Sequence, residues 1–157
     1  MTHTHATPGI KFPPPLIYLL FLLAGWGAEQ LLSDLSLGLG DTLRRSVAVV
    51  LIVIGLGLDS LAAGQMRRHQ TAVEPWKGAT TLLTNGLFGF SRNPIYLGFT
   101  VTYLGFAVAM DAPLAIALIL PCLFVIDRLV IPREEAHLSA VFGAEYETYR
   151  QKVRRWL

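Results

Sequence analysis

The chain has little of what a water-soluble protein is built from. Only 15% of its 157 residues are Asp, Glu, Lys or Arg, 53% are hydrophobic, and mean hydropathy is +0.50; a soluble average carries about 25% charged residues. The formal net charge of +2 is small, and no basic run is interleaved with aromatics, so nucleic acid is excluded as a partner. Cys122 is the single cysteine and lies in an apolar run, which rules out an internal disulfide and leaves a small buried apolar side chain. His3 and His5 have no further ligands at useful spacing, so no metal is expected. The N-terminus, MTHTHATPGIKFPPP, has neither the basic segment nor the small-residue cleavage pattern of a secretory leader, and none is expected.

What the chain does have is apolar runs long enough to cross a bilayer, about 20 residues each. A soluble bundle with unusually apolar helices is the lesser reading, because several runs carry no charge and lie between basic loops. The length is that of one domain, residues 1–157. The predicted fold is all-α and polytopic: a tail at 1–15, four spans at 16–32, 46–63, 96–110 and 113–131, and an interfacial C-terminal helix.

Pro13-Pro14-Pro15 starts the first span, Asp41 is a candidate cap for the second, and Asp111-Ala112 forces the third and fourth into an antiparallel hairpin. Pro121 is expected to kink the fourth. Gly25, Gly27, Gly55 and Gly57 offer close helix contacts, within one chain or in a homo-oligomer. The polar segment 64–95 is long for a loop and carries apolar anchors at Trp76, Leu87, Phe88 and Phe90. From Arg133 onward, Leu138, Phe142, Tyr146, Tyr149, Val153 and Trp156 recur at helical spacing, with a break expected at Gly143. Ten of the thirteen Lys and Arg lie in 64–93 or from Arg128 onward. The positive-inside rule makes both regions, and both termini, cytoplasmic, and the expected location is a bacterial inner membrane; Arg44 and Arg45 then face the other side.

Two polar clusters flank the hairpin and so share one water–lipid boundary. Taken alone, Arg92 reads as a snorkelling arginine, Glu134 and Glu135 as a solvated helix start, and Tyr146 and Tyr149 as interfacial belt residues. Asp59, Asp127 and Arg128 read as helix-packing ion pairs.

Their order carries more. TNGLFGFSRNPIYLG at 84–98, then the hairpin, then Glu134-Glu135-x-x-Leu138-x-x-x-Phe142-Gly143-x-Glu145-Tyr146-x-x-Tyr149 and a basic end, resembles the isoprenylcysteine carboxyl methyltransferase family and related membrane phospholipid methyltransferases. The likeness covers roughly residues 64 to 157. It implies S-adenosylmethionine as cofactor, bound by the segments 64–95 and 132–157, and methyl transfer to a lipophilic small-molecule or prenylated acceptor, a carboxylate or thiolate, among membrane lipids. Carried over position by position, Arg92 and Glu135 are the implied catalytic residues. Asn93, Pro94, Tyr96, Gly98, Glu134, Tyr146 and Tyr149 are the implied cofactor-binding residues. Asn93 stands where members acting on prenylated proteins usually have histidine, and the chain is shorter than those enzymes.

Such a donor is cationic at sulfur, with an amino-acid end and an adenosine end. Glu134 or Glu135 suits its ammonium and Arg92 or Arg133 its carboxylate. Phe88, Phe90, Tyr146 and Tyr149 are candidates for an adenine niche. An amine acceptor would add a need for a base, for which Glu135, Asp59 or His69 are candidates. Two other readings stay open. Membrane sterol and isoprenoid reductases look similar at their C-termini and bind a nicotinamide nucleotide, but no extra basic cluster for a 2′-phosphate is present here. A non-enzymatic membrane scaffold would be indifferent to Arg92→Ala beyond stability.

Overall fold

Pro14 stands in the first turn of helix α1 (Pro14–Leu32), where a missing N–H costs nothing, and Leu16 N–H closes the turn on Pro13 O at 2.9 Å. The computed structural model describes residues 12–32, 35–73 and 78–157. The predicted roles of His3 and His5 and the anchor at Trp76 lie outside the described residues. Helix α2 (Asp41–Arg68) follows, then a short 3₁₀ turn (Gly86–Gly89), α3 (Pro94–Ala109) and α4 (Pro113–Val125). A π turn (Ile126–Val130) carries α4 into α5 (Ile131–Phe142), and α6 (Ala144–Lys152) ends the helical part. No strand occurs among the described residues, in keeping with the all-α expectation.

Among the described residues two helices are long and apolar enough to cross a membrane: α2, and the continuous run Pro113–Phe142. At 16 residues α3 is apolar but about 24 Å long, short of a full bilayer core. The second run differs from the sequence expectation at its C-terminal end. The helix passes through Pro121 to Val125, and its hydrogen-bond ladder changes five residues later, in the π turn. The C-terminal helix does not begin afresh at Arg133 but continues from the span; the break comes at Gly143, whose φ of 53° suits glycine. Asp41 is the first helical residue rather than the cap, which is Gly40, and its carboxylate pairs with Arg44 at 3.0 Å. That pairing offsets the positive charge at Arg44, on the less basic side of the predicted topology.

Helix α2 packs along α3, and α1 along α4. Backbones touch at glycine: a Cβ on Gly98 would collide with the Asp59 carboxylate, and one on Gly55 with Thr102. Gly25 meets Ala115 in the same way across α1 and α4. The hairpin between α3 and α4 turns at Asp111, whose positive φ of 52° is of a kind Asp tolerates and whose carboxylate accepts Leu37 N–H at 2.9 Å. Glu29, buried on α1, accepts Leu114 N–H at 3.2 Å and so satisfies one of the free donors at the N-terminal end of α4. The core runs through Tyr18, Tyr96, Tyr103, Ile119, Cys122 and Ile126. Cys122 is the small buried residue its sequence setting predicts.

Candidate active site

The site begins with the turn that leads into α3. Ser91 Oγ accepts Asn93 N–H at 3.1 Å, and Pro94 opens the helix. Side-chain and backbone groups of the turn then bond to the C-terminal segment. Arg92 N–H donates to Arg154 O (3.0 Å), Asn93 Nδ2 to Arg155 O (2.9 Å) and Ser91 Oγ to Arg155 O (3.3 Å). The Arg92 guanidinium donates through Nη1 to Arg150 O and Val153 O, and through Nη2 to Glu135 Oε1 at 2.7 Å. The predicted convergence of Arg92 with the acidic pair is therefore a direct ion pair, 11% and 13% exposed on its two sides.

Glu135 is doubly held. Arg155 donates to it from Nε (3.1 Å) and Nη2 (2.6 Å), and from Nη1 to Asp127 Oδ1 (3.1 Å), which also accepts Trp156 Nε1–H at 3.0 Å. The hydrogen bond to Glu135 raises the Arg155 pKa. Asp127, Arg155, Glu135 and Arg92 thus form a chain of alternating charge that pins residues 153–156 against the π turn, α5 and the turn before α3.

Beside this chain lies a cavity of about 310 Å³. Its walls are mostly apolar: Pro14 and Pro15 of α1, Met66 of α2, Val73, Phe88, Phe99 and Leu138. Its polar groups are Arg92, Asn93, Tyr96, Glu134 and His137. Tyr96, 6% exposed, donates its hydroxyl to Glu134 Oε1 at 2.6 Å; Oε2 has no protein partner among the described residues. His137, 8% exposed and one turn beyond Glu134, accepts Ala79 N–H on Nε2 at 3.3 Å. An imidazole that accepts there is neutral, with its proton on Nδ1.

Several implied site residues stand elsewhere. Glu135 does not line the cavity, because both of its oxygens face arginines. Gly98 packs against α2, where its missing side chain admits Asp59. Tyr146 (1% exposed) and Tyr149 (6%) form a tilted pair 6.1 Å apart behind the 3₁₀ turn, and Tyr149 donates its hydroxyl to Phe88 O at 2.6 Å. Burial pushes the Tyr146 phenol up to about 12, and raises that of Tyr149 as well. Of the adenine-niche candidates only Phe88 lines the cavity, while Phe90 is 78% exposed. Arg133 and His69 are exposed away from it, and Asp59 sits at the α2–α3 crossing, so none of the three is a cavity group.

Two participants escape the sequence reading, while Asp127 does form the ion pair expected of it, with Arg155. Arg155 belongs to the charge chain, and its only signal is a basic end. His137 carries none beyond its place three residues after Glu134.

The family model for phospholipid methyltransferase matches residues 43–145. A probable protein-S-isoprenylcysteine O-methyltransferase of Oryza sativa is 32% identical over 114 residues, covering 71% of this chain and 59% of its own length. A protein-S-isoprenylcysteine O-methyltransferase of Schizosaccharomyces pombe is 31% identical over 144 residues, 92% of this chain and 53% of its own. An uncharacterized protein of Haemophilus influenzae is 38% identical over 63 residues, its entire length and 40% of this chain. The chain spans between half and three fifths of the length of the first two relatives. No solved structure matches. With the matched region running from α2 to the start of α6, and so through the turn at Arg92, the acidic pair and most of the cavity lining, the chain belongs to the phospholipid methyltransferase family.

Proposed function

We propose that this chain is an S-adenosylmethionine-dependent membrane methyltransferase whose acceptor is lipophilic, a carboxylate or thiolate that partitions into the bilayer. The observation that carries the reading is Glu134, an acid lining a mostly apolar cavity, with one oxygen held by Tyr96 and the other without a protein partner among the described residues. A cationic ligand suits that place, because in a water-excluded site a charge-assisted contact is stronger than in water. The donor is cationic at both its sulfonium and its ammonium. Phe88 and Phe99 offer flat apolar faces for its adenine, and the volume lies at the lower end of the range for small-ligand pockets. Arg92 Nε, buried and without a hydrogen-bond partner among the described residues, is a remaining donor beside it.

Held by Glu134 and the turn at Arg92, the donor would supply an activated methyl group, its S–CH₃ bond breaking as the acceptor's bond to that carbon forms and leaving a neutral thioether. An anionic acceptor needs no general base, so the protein's contribution is alignment and exclusion of water. Tyr96 fixes Glu134, and the charge chain fixes the turn bearing Arg92 and Asn93. In this reading α1, α2, α3 and the α4–α5 run each span the bilayer, and the cavity lies at the cytoplasmic face of an inner membrane. Apolar side chains left on the outside, such as Leu20 (65% exposed), Val53 (63%) and Leu120 (71%), support contact with lipid.

Calorimetry on the detergent-solubilised protein tests this. S-adenosylmethionine and its demethylated product should both bind, with affinity lost in Glu134→Gln. Binding of NADPH instead would establish the reductase reading, and binding of neither the scaffold.

A further inference from the structure

A second recess, about 430 Å³, opens between α3 and α4 and shares no lining residue with the first. Leu97, Leu123 and Phe124 form its apolar walls, and Thr100, Asp127, Arg128 and Trp156 are its polar groups, Asp127 being engaged by Arg155 and Trp156. We propose that this groove holds an anionic membrane phospholipid, with its phosphate on Arg128 and an acyl chain along Phe124, Leu123 and Leu97.

Charge balance selects the headgroup. Asp127 and Glu135 are matched by Arg155 and Arg92 in the chain described above, so Arg128 is the surplus cation. Its Nε is 3.7 Å from Asp127 Oδ2, too far for a hydrogen bond, and its side chain is 68% exposed. The guanidinium lies over the Phe124 ring, 5.5 Å from the centroid, which leaves its donor edge open to a phosphate and its stem against the apolar wall. The same helix supplies the hydrocarbon contact. Leu120 (71% exposed) and Phe124 (63%) follow one another at a four-residue interval below Arg128, an apolar stripe with a cation at its upper end.

An acidic peptide would satisfy Arg128 but leave that stripe in contact with nothing. A phospholipid satisfies both, and Trp156 at the same level marks the interface where headgroups lie. The ion-pair chain separates this groove from Glu134, so the lipid held here is a resident one and not the methyl acceptor. The inference stands independently of the proposed chemistry.

Trp156 reports on the groove directly. In a Trp26→Phe, Trp76→Phe background it is the sole indole, and its fluorescence is titrated with acyl-brominated phosphatidylglycerol or phosphatidylcholine in mixed micelles, without methyl donor. Half-maximal quenching should need about fivefold less of the anionic lipid, the ratio that one interfacial arginine confers. Arg128→Gln should remove that preference, and Arg45→Gln, at the opposite end of the molecule, should keep it. Equal quenching by the two lipids in the parent protein overturns the proposal without recourse to any variant at 128, as does a preference that survives Arg128→Gln.

Discussion

Arg155 grips Glu135 by two hydrogen bonds across twenty residues of sequence, Nη2 to Oε2 at 2.6 Å and Nε to Oε1 at 3.1 Å. This fork, continued to Asp127 on one side and Arg92 on the other, joins the last turn of the chain to the turn before α3. Its consequence is a division of labour between adjacent acids: Glu135 holds the scaffold, and Glu134 faces the cavity.

Glu135→Ala leaves two arginines facing each other in a half-buried place. Removing one partner of a buried ion pair costs about 3–5 kcal/mol. Thermal unfolding in detergent should show a large fall in midpoint, and an unchanged midpoint would contradict the structural role. Glu134→Gln, by contrast, keeps an acceptor for the Tyr96 hydroxyl, and its midpoint should stay close to that of the parent.

Arg155→Lys retains the charge and loses the fork, because an ammonium cannot span both Glu135 oxygens and Asp127. Arg155 is 32% exposed, so the loss is smaller than for Glu135, about 1–2 kcal/mol. Proteolysis of the C-terminal segment should become faster in this variant, and unaltered cleavage would show that residues 153–156 are held by other means.

Much of this arrangement is legible in the sequence. Proline at 14, 94 and 113 and the Asp111-Ala112 hairpin mark where helices start and turn, because fixed φ and a missing N–H act locally. The meeting of Arg92 with the acidic pair follows from their order around a hairpin. The jobs of Tyr146, Tyr149 and Gly98 are not legible. A tyrosine lining a ligand site and one hydrogen-bonded behind it have the same spacing, and only packing separates them. Arg155 is hidden for a related reason: in Arg154-Arg155 nothing local tells which arginine turns inward.

Tyr149→Phe should separate support from contact. The change leaves Phe88 O without its 2.6 Å donor and costs about 1 kcal/mol in stability. Since Phe88 lines the cavity, KM for the methyl donor should rise severalfold with kcat little changed. A fall in kcat alone would instead place the phenol among the reacting groups.

Gly98→Ala adds a methyl group where Asp59 lies against the α3 backbone. Overpacking of this kind costs about 1–3 kcal/mol. Combining it with Asp59→Ala should recover most of the lost unfolding midpoint, and failure to do so would mean that the clash lies with the α2 backbone at Gly55.

The most direct test of the central claim, that Glu134 and the turn at Arg92 enclose one ligand, is photocrosslinking of methyl-labelled S-adenosylmethionine to the purified protein, followed by peptide mapping. The label is predicted on peptides covering 86–99 or 134–138, and to be displaced by the demethylated product. Label confined to α1 or to the hairpin at Asp111, or none at saturating donor, would contradict it.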